Sequence, residues 1–189
     1  MIIKKENPYE KCPTYETKHF IIRMVSESDA EDLLKCYSDA ASAKIFNSDN
    51  CTSNFIYKSL EEMKNCIRFW LDQYEKGYFI RFSIVDRTNN SAIGTIEFFT
   101  KPVELDEIFM VGLLRLDLAS KYEKHEFIRE IIDEVDENFY DVFEVEDIIT
   151  KAIPEAKERI YALKERDFIE LEKNASFPFD FYFIRKKWR

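Results

Sequence analysis

The spacing of apolar residues along the chain changes between two periods, and each period predicts a different kind of element. Ser26 with Asp29, and Ser59 with Glu62, form capping boxes, in which two side chains satisfy the free amides at the start of a helix. Pro154 occupies the predicted first position of the last helix. Apolar residues three and four positions apart predict helices over 27–37, 40–46, 59–76, 125–139 and 155–166.

Segments rich in β-branched and aromatic residues predict the strands. These segments are 17–25, 79–85, 92–99, 107–118, 147–153, 168–172 and 181–186. The polar residues 86–91 predict a hairpin turn, and Gly112 indicates a bulge or a close backbone approach in the strand that contains it. The order β–α–α–β–β–β–α–β–α–β–β requires a mixed sheet. Residues 1–14 contain two prolines and are expected to form an arm of a single domain, 1–189.

Composition and charge exclude several functional classes. The formal net charge of −9 argues against a general nucleic-acid-binding protein, and the basic residues Arg185, Lys186, Lys187 and Arg189 are interpreted as a solvated tail. The four cysteines form no CxxC pair and accompany only two histidines, so no metal site is expected. The sequence has neither a signal peptide nor an apolar run of membrane-spanning length. We therefore expect a cytoplasmic protein that binds neither nucleic acid nor a membrane.

The segment 113–139 joins a strand to a long acidic helix through a short loop, an arrangement typical of phosphate binding. At a helix N-terminus the unpaired N–H groups and the helix dipole both attract an anion. The loop 119–124 contains no glycine, although glycines normally let the backbone approach a phosphate. Between positions 126 and 147 ten acidic residues accompany one basic residue, Arg129. This density indicates a solvated helix face or, alternatively, a surface for a basic partner.

Three stretches of sequence, together with the order of the elements, resemble one known family. The stretch LRLDLASKYEKHEFIREII stands where that family has a strand, a pyrophosphate loop and a helix. The stretch YFIRFSIVDRTNNSAIGTIEFF, with its Ile93-Gly94 pair, is similar to the family's central hairpin, and KERDFIE is similar to the end of its last helix. The family is the GNAT N-acetyltransferase superfamily, and the chain resembles the branch that acetylates ribosomal-protein N-termini and small amines. The resemblance implies a mixed α/β fold with a mostly antiparallel sheet of about six to seven strands and about four helices.

The resemblance also implies a binding site for acetyl-CoA. In the family this cofactor lies where two central parallel strands separate, and its pyrophosphate contacts the loop before the next helix. An acceptor amine, on a small molecule or a peptide, enters from the opposite side and attacks the thioester carbonyl without a metal or a covalent enzyme intermediate. The corresponding residues of this sequence are Leu114, Leu116 and Leu118 in the strand, and Lys121, Tyr122, Lys124, His125 and Phe127 in the loop and helix start.

The predicted cofactor loop departs from the family pattern, which reads Arg/Gln-x-x-Gly-x-Gly/Ala. Tyr122, His125 and Phe127 stand at its three defining positions. Side chains therefore replace the backbone that would touch the phosphates, and Glu123 and Glu126 add negative charge that the lysines of the loop only partly offset.

The last helix departs from the family pattern as well. Lys157, Arg159 and Leu163 stand where the family commonly has Asn, Ser and Tyr. Asp167 replaces a glycine and adopts the left-handed conformation less readily. The sequence thus predicts weakened or altered binding of acetyl-CoA.

Glu97 and Tyr161 are the candidate catalytic residues. Glu97 lies on the strand face opposite Ile96 and Phe98, so it is either an exposed strand carboxylate or the group that relays the proton of the amine. Tyr161 is either the acid that protonates the departing thiolate or a packed ring, since it lies about 200° round the helix from the family's tyrosine position. His125 is either a ligand for phosphate or a neutral, partly exposed ring.

Two functions follow as the main hypotheses, and a third is the use of a different acyl donor or cofactor fragment, because the loop is remodelled. The first is an N-acetyltransferase that acts on a small-molecule or peptide amine, with weakened or altered cofactor binding and an acceptor loop at 46–57. The second is a non-catalytic module of the same fold that binds a protein or a small ligand through its cleft or its acidic face. The terminal strand pair, 168–186, is a candidate edge for a homodimer.

Overall fold

The fold is built on one sheet with helices packed against both of its faces. The computed structural model describes residues 7–46, 49, 55–104 and 108–187. Its strands are β1 (Tyr15–Glu16), β2 (Phe20–Met24), β3 (Ile80–Asp86), β4 (Ser91–Glu104), β5 (Ile108–Leu118), β6 (Asp147–Lys151), β7 (Ile169–Glu170) and β8 (Tyr182–Lys186). Its α-helices are α1 (Ala30–Tyr37), α2 (Ala40–Ala43), α3 (Leu60–Glu75), α4 (His125–Val142) and α5 (Lys157–Glu165).

The strand order in the sheet is β1-β2-β3-β4-β5-β6-β8-β7. Only β5 and β6 are parallel among the neighbouring strands of the described chain. The predicted mixed, mostly antiparallel α/β sheet is therefore confirmed. The described residues contain eight strands and five α-helices, and the strand count is slightly higher than the six to seven that the resemblance implied. Most of the predicted acceptor loop, 46–57, lies outside the described residues.

The two faces of the sheet differ in their chemistry. α4 and α5 pack on a face of apolar side chains that includes Phe82, Ile96 and Leu116. Because successive side chains of a strand point to opposite faces, the intervening residues lie beneath α1 and α3. These residues are buried and polar, namely Arg81, Ser83, Thr95, Glu97 and Asp117. Burying polar groups costs free energy unless the groups are paired, so this face is the candidate location of a functional site.

Local sequence signals determine most of the helix boundaries. Both predicted capping boxes form, and in the second the Glu62 amide donates to Ser59 Oγ while the Glu62 carboxylate accepts from the Ser59 amide. Gly77 follows α3 with a φ of 73°. The apolar residues at helical spacing along α4 are all buried, namely Ile128, Ile131, Ile132, Val135 and Phe139. Helix capping and amphipathicity were therefore readable without the fold.

The start of α5 differs from the prediction. The helix begins at Lys157, and Pro154 lies in a preceding turn that the amide of Ala156 closes with a hydrogen bond. Pro154 is therefore not the first helical residue. The first predicted strand is also shorter, Phe20–Met24. Asp167 does adopt the left-handed conformation, with a φ of 59°.

None of the helices in the described residues is long and apolar enough to cross a membrane. Cys12, Cys36 and Cys66 are free thiols, and Cys51 lies outside the described residues. Within that same part of the chain no group of His, Cys, Asp and Glu could hold a metal ion.

Candidate functional site

The parallel strands β5 and β6 separate part-way along β5. Their last register pair joins Leu114 to Thr150, whereas β5 continues to Leu118. Within the described chain, residues 115–118 therefore have no strand partner on the β6 side. The side chains of Leu116 and Leu118 are buried in the core, so it is the backbone of this segment that a ligand in the gap would meet.

A hydrogen-bonded polar layer lies beneath α1, beside the same part of β5. The Tyr37 hydroxyl donates to Asp117 Oδ2 at 2.7 Å and lies 2.8 Å from Thr95 Oγ1. Arg81 Nη1 donates to the same two residues, at 3.2 Å and 3.0 Å. Burial raises the pKa of the Asp117 carboxyl, and the charge of Arg81 opposes that rise. Burial also raises the pKa of the Tyr37 hydroxyl well above its ordinary value, so Tyr37 remains a donor.

Glu97 is held between two arginines. Arg81 Nη2 donates to Glu97 Oε2, and Arg115 Nη1 lies 2.7 Å from Glu97 Oε1. The Glu97 side chain is only 5% exposed, so its interpretation as an exposed strand carboxylate is wrong. It is buried because α3 covers this face, with the Trp70 ring 4.4 Å from the Arg81 guanidinium. Since both oxygens are engaged, Glu97 is poorly placed to take a proton from an amine.

A pocket of about 850 Å³ opens above this layer, beside α3. Its floor consists of Arg81, Glu97 and Arg115, which are direct partners across β3, β4 and β5. Its walls are mainly aromatic and include Phe69, Trp70, Tyr78 and Phe99. A mostly apolar cleft of this size with a few convergent polar groups is typical of a small-molecule site.

The predicted cofactor loop is a 3-10 turn, Ser120–Tyr122, that leads into α4. Tyr122 is buried, and its hydroxyl donates to Asp86 at 2.5 Å. Phe127 packs edge-on against Phe20 of β2, with 5.5 Å between the ring centroids. Tyr122 therefore belongs to the core beside the turn, and the half-buried Phe127 packs against that core.

The two lysines of the loop lie along these rings. Lys121 Nζ is 4.8 Å from the centroid of Tyr122, and Lys124 Nζ is 5.9 Å from that of Phe127. Both lysine side chains are exposed. The structure thus brings the residues predicted for phosphate binding together at the start of α4, with the aromatic ones turned into the core.

The first amide of α4 already has an anionic partner. Glu158, next to the start of α5, accepts the His125 N–H at 2.9 Å. Beside it, Arg159 donates to both carboxylate oxygens of Glu123, at 2.9 Å and 2.8 Å, and both side chains are buried. This bidentate pair joins α5 to the turn before α4. The chain's own residues therefore occupy the helix end where the resemblance implied a pyrophosphate.

Tyr161 lies apart from the pocket. Its ring packs against that of His125 at a tilt of 37°, with 4.4 Å between centroids, and it is 57% exposed. His125 Nε2 lies 2.6 Å from Glu165, and this contact lowers the pKa of the Glu165 carboxyl. Among the described residues that line the pocket, Glu97 is present and Tyr161 is not. The two predicted catalytic residues therefore do not share a site.

Sequence reasoning missed most of the pocket floor and its supports. The missed residues are Tyr37, Arg81, Arg115 and Asp117. Polar residues at every second strand position usually indicate a solvated face. Here a signal was present, because the opposite charges of Arg81, Glu97 and Arg115 stand in adjacent strands. Pairing the strands in register and covering them with the helix predicted at 59–76 would have revealed it.

The arrangement of strands and helices occurs in solved structures, although no family model and no curated protein matches the sequence. An acetyltransferase of the GNAT family from Bacillus anthracis is 13% identical, covers 93% of this chain and 99% of its own, and gives a TM-score of 0.67. The ribosomal-protein-S5-alanine acetyltransferase from Vibrio fischeri is 15% identical, with coverages of 93% and 97% and a TM-score of 0.64.

A third structure carries ligands. The spermidine N-acetyltransferase from Vibrio cholerae, in complex with CoA and spermine, is 14% identical, covers 89% of this chain and 96% of its own, and gives a TM-score of 0.65. Identities this low concern the fold and leave the chemistry of the site open. The protein therefore has the fold of the GNAT acetyltransferases.

Proposed function

We propose that the protein is an acyl-CoA-dependent N-acetyltransferase that holds the phosphate end of its acyl donor differently from its fold relatives. The observation that carries the proposal is the meeting of the strand gap and the pocket at one residue. Leu114 is the last residue of β5 paired with β6, and the side chain of the next residue, Arg115, lies on the pocket floor. A thioester arm along the unpaired backbone of residues 115–118 would therefore reach an amine in the pocket.

The fold relatives support both substrates of this reaction. The Vibrio cholerae spermidine N-acetyltransferase was solved with CoA and spermine together. By that likeness we assign an acyl-CoA to the gap and an amine to the pocket of this protein. Acetyl transfer forms a bond from the amine nitrogen to the acyl carbon, breaks the carbon–sulfur bond, and moves the proton of the amine to the departing thiolate.

In this scheme the protein mainly positions the reacting groups. Backbone N–H groups of β5 would polarise the thioester carbonyl. Glu97 fixes the two floor arginines, because each of its oxygens contacts one of them. We assign Tyr161 to the donor's phosphate end, since its ring packs against His125 at the start of α4.

The phosphate end of the donor does not fit the turn as it stands. Glu158 accepts the His125 amide that a phosphate oxygen would take, and its charge would repel a phosphate. Donor binding therefore requires Glu158 to turn away, which leaves Lys121 and Lys124 as the cations at this helix end. We expect weaker binding than a glycine-rich turn would provide.

Thermal unfolding with and without millimolar acetyl-CoA tests this proposal. A ligand at 100 times its Kd stabilises by about 2.7 kcal/mol, which raises the Tm of a chain of this length by about 5–10 °C. We expect a smaller rise for the wild type and a larger one for Glu158→Gln, which removes the competing charge. Glu155→Gln is the matched control, because Glu155 is an exposed carboxylate in the turn just before α5. Titration calorimetry would confirm that Glu158→Gln binds acetyl-CoA more tightly than the wild type does. If acetyl-CoA shifts the Tm of neither protein, the assignment of acyl-CoA is refuted.

A second function is favoured by the same closed helix end. The contacts of Glu158 with His125 and of Arg159 with Glu123 complete the turn without a ligand. We therefore also propose a non-catalytic module that binds a small molecule through the pocket alone. Its signature is binding of a pocket ligand by the wild type, with acetyl-CoA leaving the Tm of both the wild type and Glu158→Gln unchanged.

A further inference from the structure

Two carboxylates line the described part of the pocket, Glu97 buried on the floor and Glu62 exposed at the start of α3. Glu97 is engaged by Arg81 and Arg115 through its two oxygens. Glu62 accepts two backbone amides of the α3 cap, at 2.6 Å and 3.0 Å, and these hydrogen bonds lower the pKa of its carboxyl. A polyamine carries several ammonium groups that need free carboxylates when they leave water. Both cap amides contact Oε2 of Glu62, so its Oε1 is left for one ammonium group, which is fewer than a polyamine brings. The described part of the pocket therefore suits a polyamine poorly.

Guanidinium donors on the floor, in contrast, lack acceptors. Arg115 has five N–H donors, yet the described residues engage its guanidinium through Nη1 and Glu97, and its side chain is 29% exposed. Arg81 is 3% exposed, and its Nε is buried with no acceptor in the described chain. Buried donors without acceptors are costly. A ligand carboxylate would supply the acceptors that this floor lacks.

The fixed charges of the floor and of the polar layer beneath it cancel. Arg81 and Arg115 are balanced by Glu97 and by Asp117, which lies 3.2 Å from Arg81. A ligand with one carboxylate and one amine adds no net charge to this set, whereas a polyamine or a dicarboxylate does. Charge balance therefore favours a ligand that carries one group of each sign.

The walls indicate the body of that ligand. Three of the seven large apolar residues exposed in the described chain line this pocket, namely Ile56, Phe69 and Tyr78. The exposed apolar surface is thus concentrated at the rim of the pocket, as at a binding site. The Arg115 guanidinium lies 5.7 Å from the centroid of Phe99, which places a cation and an aromatic wall side by side.

We propose that the acceptor is a free α-amino acid with an aromatic or large aliphatic side chain. Its carboxylate binds Arg115, its side chain lies between the aromatic walls, and its amine faces the gap along β5. This assignment rests on the proposed transferase function for the reaction, although binding to the pocket does not require acetyl-CoA.

Titration calorimetry on the full chain, without acetyl-CoA, tests the assignment with three probes. L-phenylalanine carries the carboxylate, L-phenylalaninamide lacks it, and spermidine is the polyamine. We expect phenylalanine to bind about tenfold or more tightly than its amide, because a hydrogen bond to a charged group is lost. We expect no measurable heat with spermidine. Phenylalanine and its amide binding equally, or spermidine binding in their place, overturns the proposal.

Substitution of Arg115 adds a second criterion. We expect Arg115→Gln to weaken phenylalanine binding about tenfold and to leave the amide unchanged. Lys35→Gln, which removes an exposed positive charge on α1, is the matched control and should bind like the wild type. If Arg115→Gln fails to fold, the comparison of phenylalanine with its amide on the wild type still decides the question.

Adding acetyl-CoA separates this proposal from the proposed function. Binding of phenylalanine without formation of N-acetylphenylalanine supports the pocket assignment and contradicts the transferase. Acetylation of spermidine or of a peptide N-terminus, with phenylalanine ignored, supports the transferase and overturns the amino-acid acceptor.

Discussion

Arg81 and Glu97 lie opposite each other on β3 and β4, and their side chains form most of the pocket floor. Removing two charges from water costs several kcal/mol per ion, and their attraction offsets this cost only when the remaining donors and acceptors are also satisfied. Arg81 reaches Thr95 and Asp117, and Glu97 reaches Arg115. The members of this polar layer therefore depend on one another for charge and hydrogen-bond partners. Together they shape the floor of the pocket.

We expect Glu97→Ala to lower the free energy of unfolding by about 3 kcal/mol, because it removes the charge partner of a buried arginine. Urea unfolding followed by circular dichroism measures the loss. Glu61→Ala is the control, since Glu61 pairs with Arg68 on the surface and should matter little. If Glu97→Ala lowers the free energy of unfolding no more than Glu61→Ala does, the residues of the polar layer do not depend on one another.

At the scale of elements, the close packing of β4 on β5 beside the strand gap depends on Gly94. A Cβ atom at this position would lie 2.1 Å from the carbonyl oxygen of Asp117 and 2.9 Å from the Cα of Leu118. Both are backbone atoms of the segment that has separated from β6, so they cannot yield as the end of a flexible side chain would. Gly94 also lies opposite Ile84, where the register of β3 and β4 shifts.

Gly94→Ala should therefore lower the free energy of unfolding by about 3 kcal/mol, as overpacking against fixed atoms does. Gly77→Ala provides the comparison, because a Cβ atom at Gly77 meets open space and costs only about 1–2 kcal/mol for its left-handed backbone. Thermal and urea unfolding of the two variants would measure the difference. Equal losses would mean that β5 can move away from β4, and that the geometry of the gap is adjustable.

The elements also show where prediction from sequence ends. Capping boxes and the hairpin turn are local signals, and the structure contains them where they were predicted. The predicted start of α5 was wrong because Pro154 lies in a turn that the amide of Ala156 closes, and Ala156 is buried in the fold. The contact of Glu158 with His125 spans 33 positions and arises only when α5 packs beside α4. Likewise, no pattern within β4 reveals that α3 covers Glu97.

Across the whole molecule, the acidic face of α4 is paired with basic residues from both ends of the chain. The pairs are Glu130 with His19, Asp133 with Arg166, Asp136 with Arg185, and Asp141 with Lys187. Arg185 is a buried residue of β8, so the solvated-tail interpretation is wrong for it. Much of the acidic charge that suggested a basic partner thus holds distant segments of the fold together.

This pairing predicts a dependence of stability on pH. The Glu130 carboxylate accepts the His19 amide at 2.7 Å and contacts its ring nitrogen at 2.5 Å. Burial opposes ionisation of Glu130, but hydrogen bonds from Thr17 and His19 lower the pKa of its carboxyl below the ordinary value. A group with a lowered pKa in the folded state stabilises the fold above its unfolded pKa, and that contribution is lost as the pH falls through the folded value.

We therefore expect Glu130→Gln to lower the free energy of unfolding by about 1–2 kcal/mol at pH 6, as loss of hydrogen bonds to a charged group does. The difference from the wild type should shrink as the pH falls below about 4, near the ordinary pKa of a glutamate, and disappear below the lowered folded pKa, where the carboxyl is protonated in both states. Urea unfolding at several pH values measures it, and Glu126→Gln, an exposed carboxylate on the same helix, should show no such change. A deficit for Glu130→Gln that does not shrink as the pH falls below about 4 would mean that shape, and not charge, joins the residue before β2 to α4. The interpretation of the acidic face of α4 as a surface for a basic partner would then be favoured again.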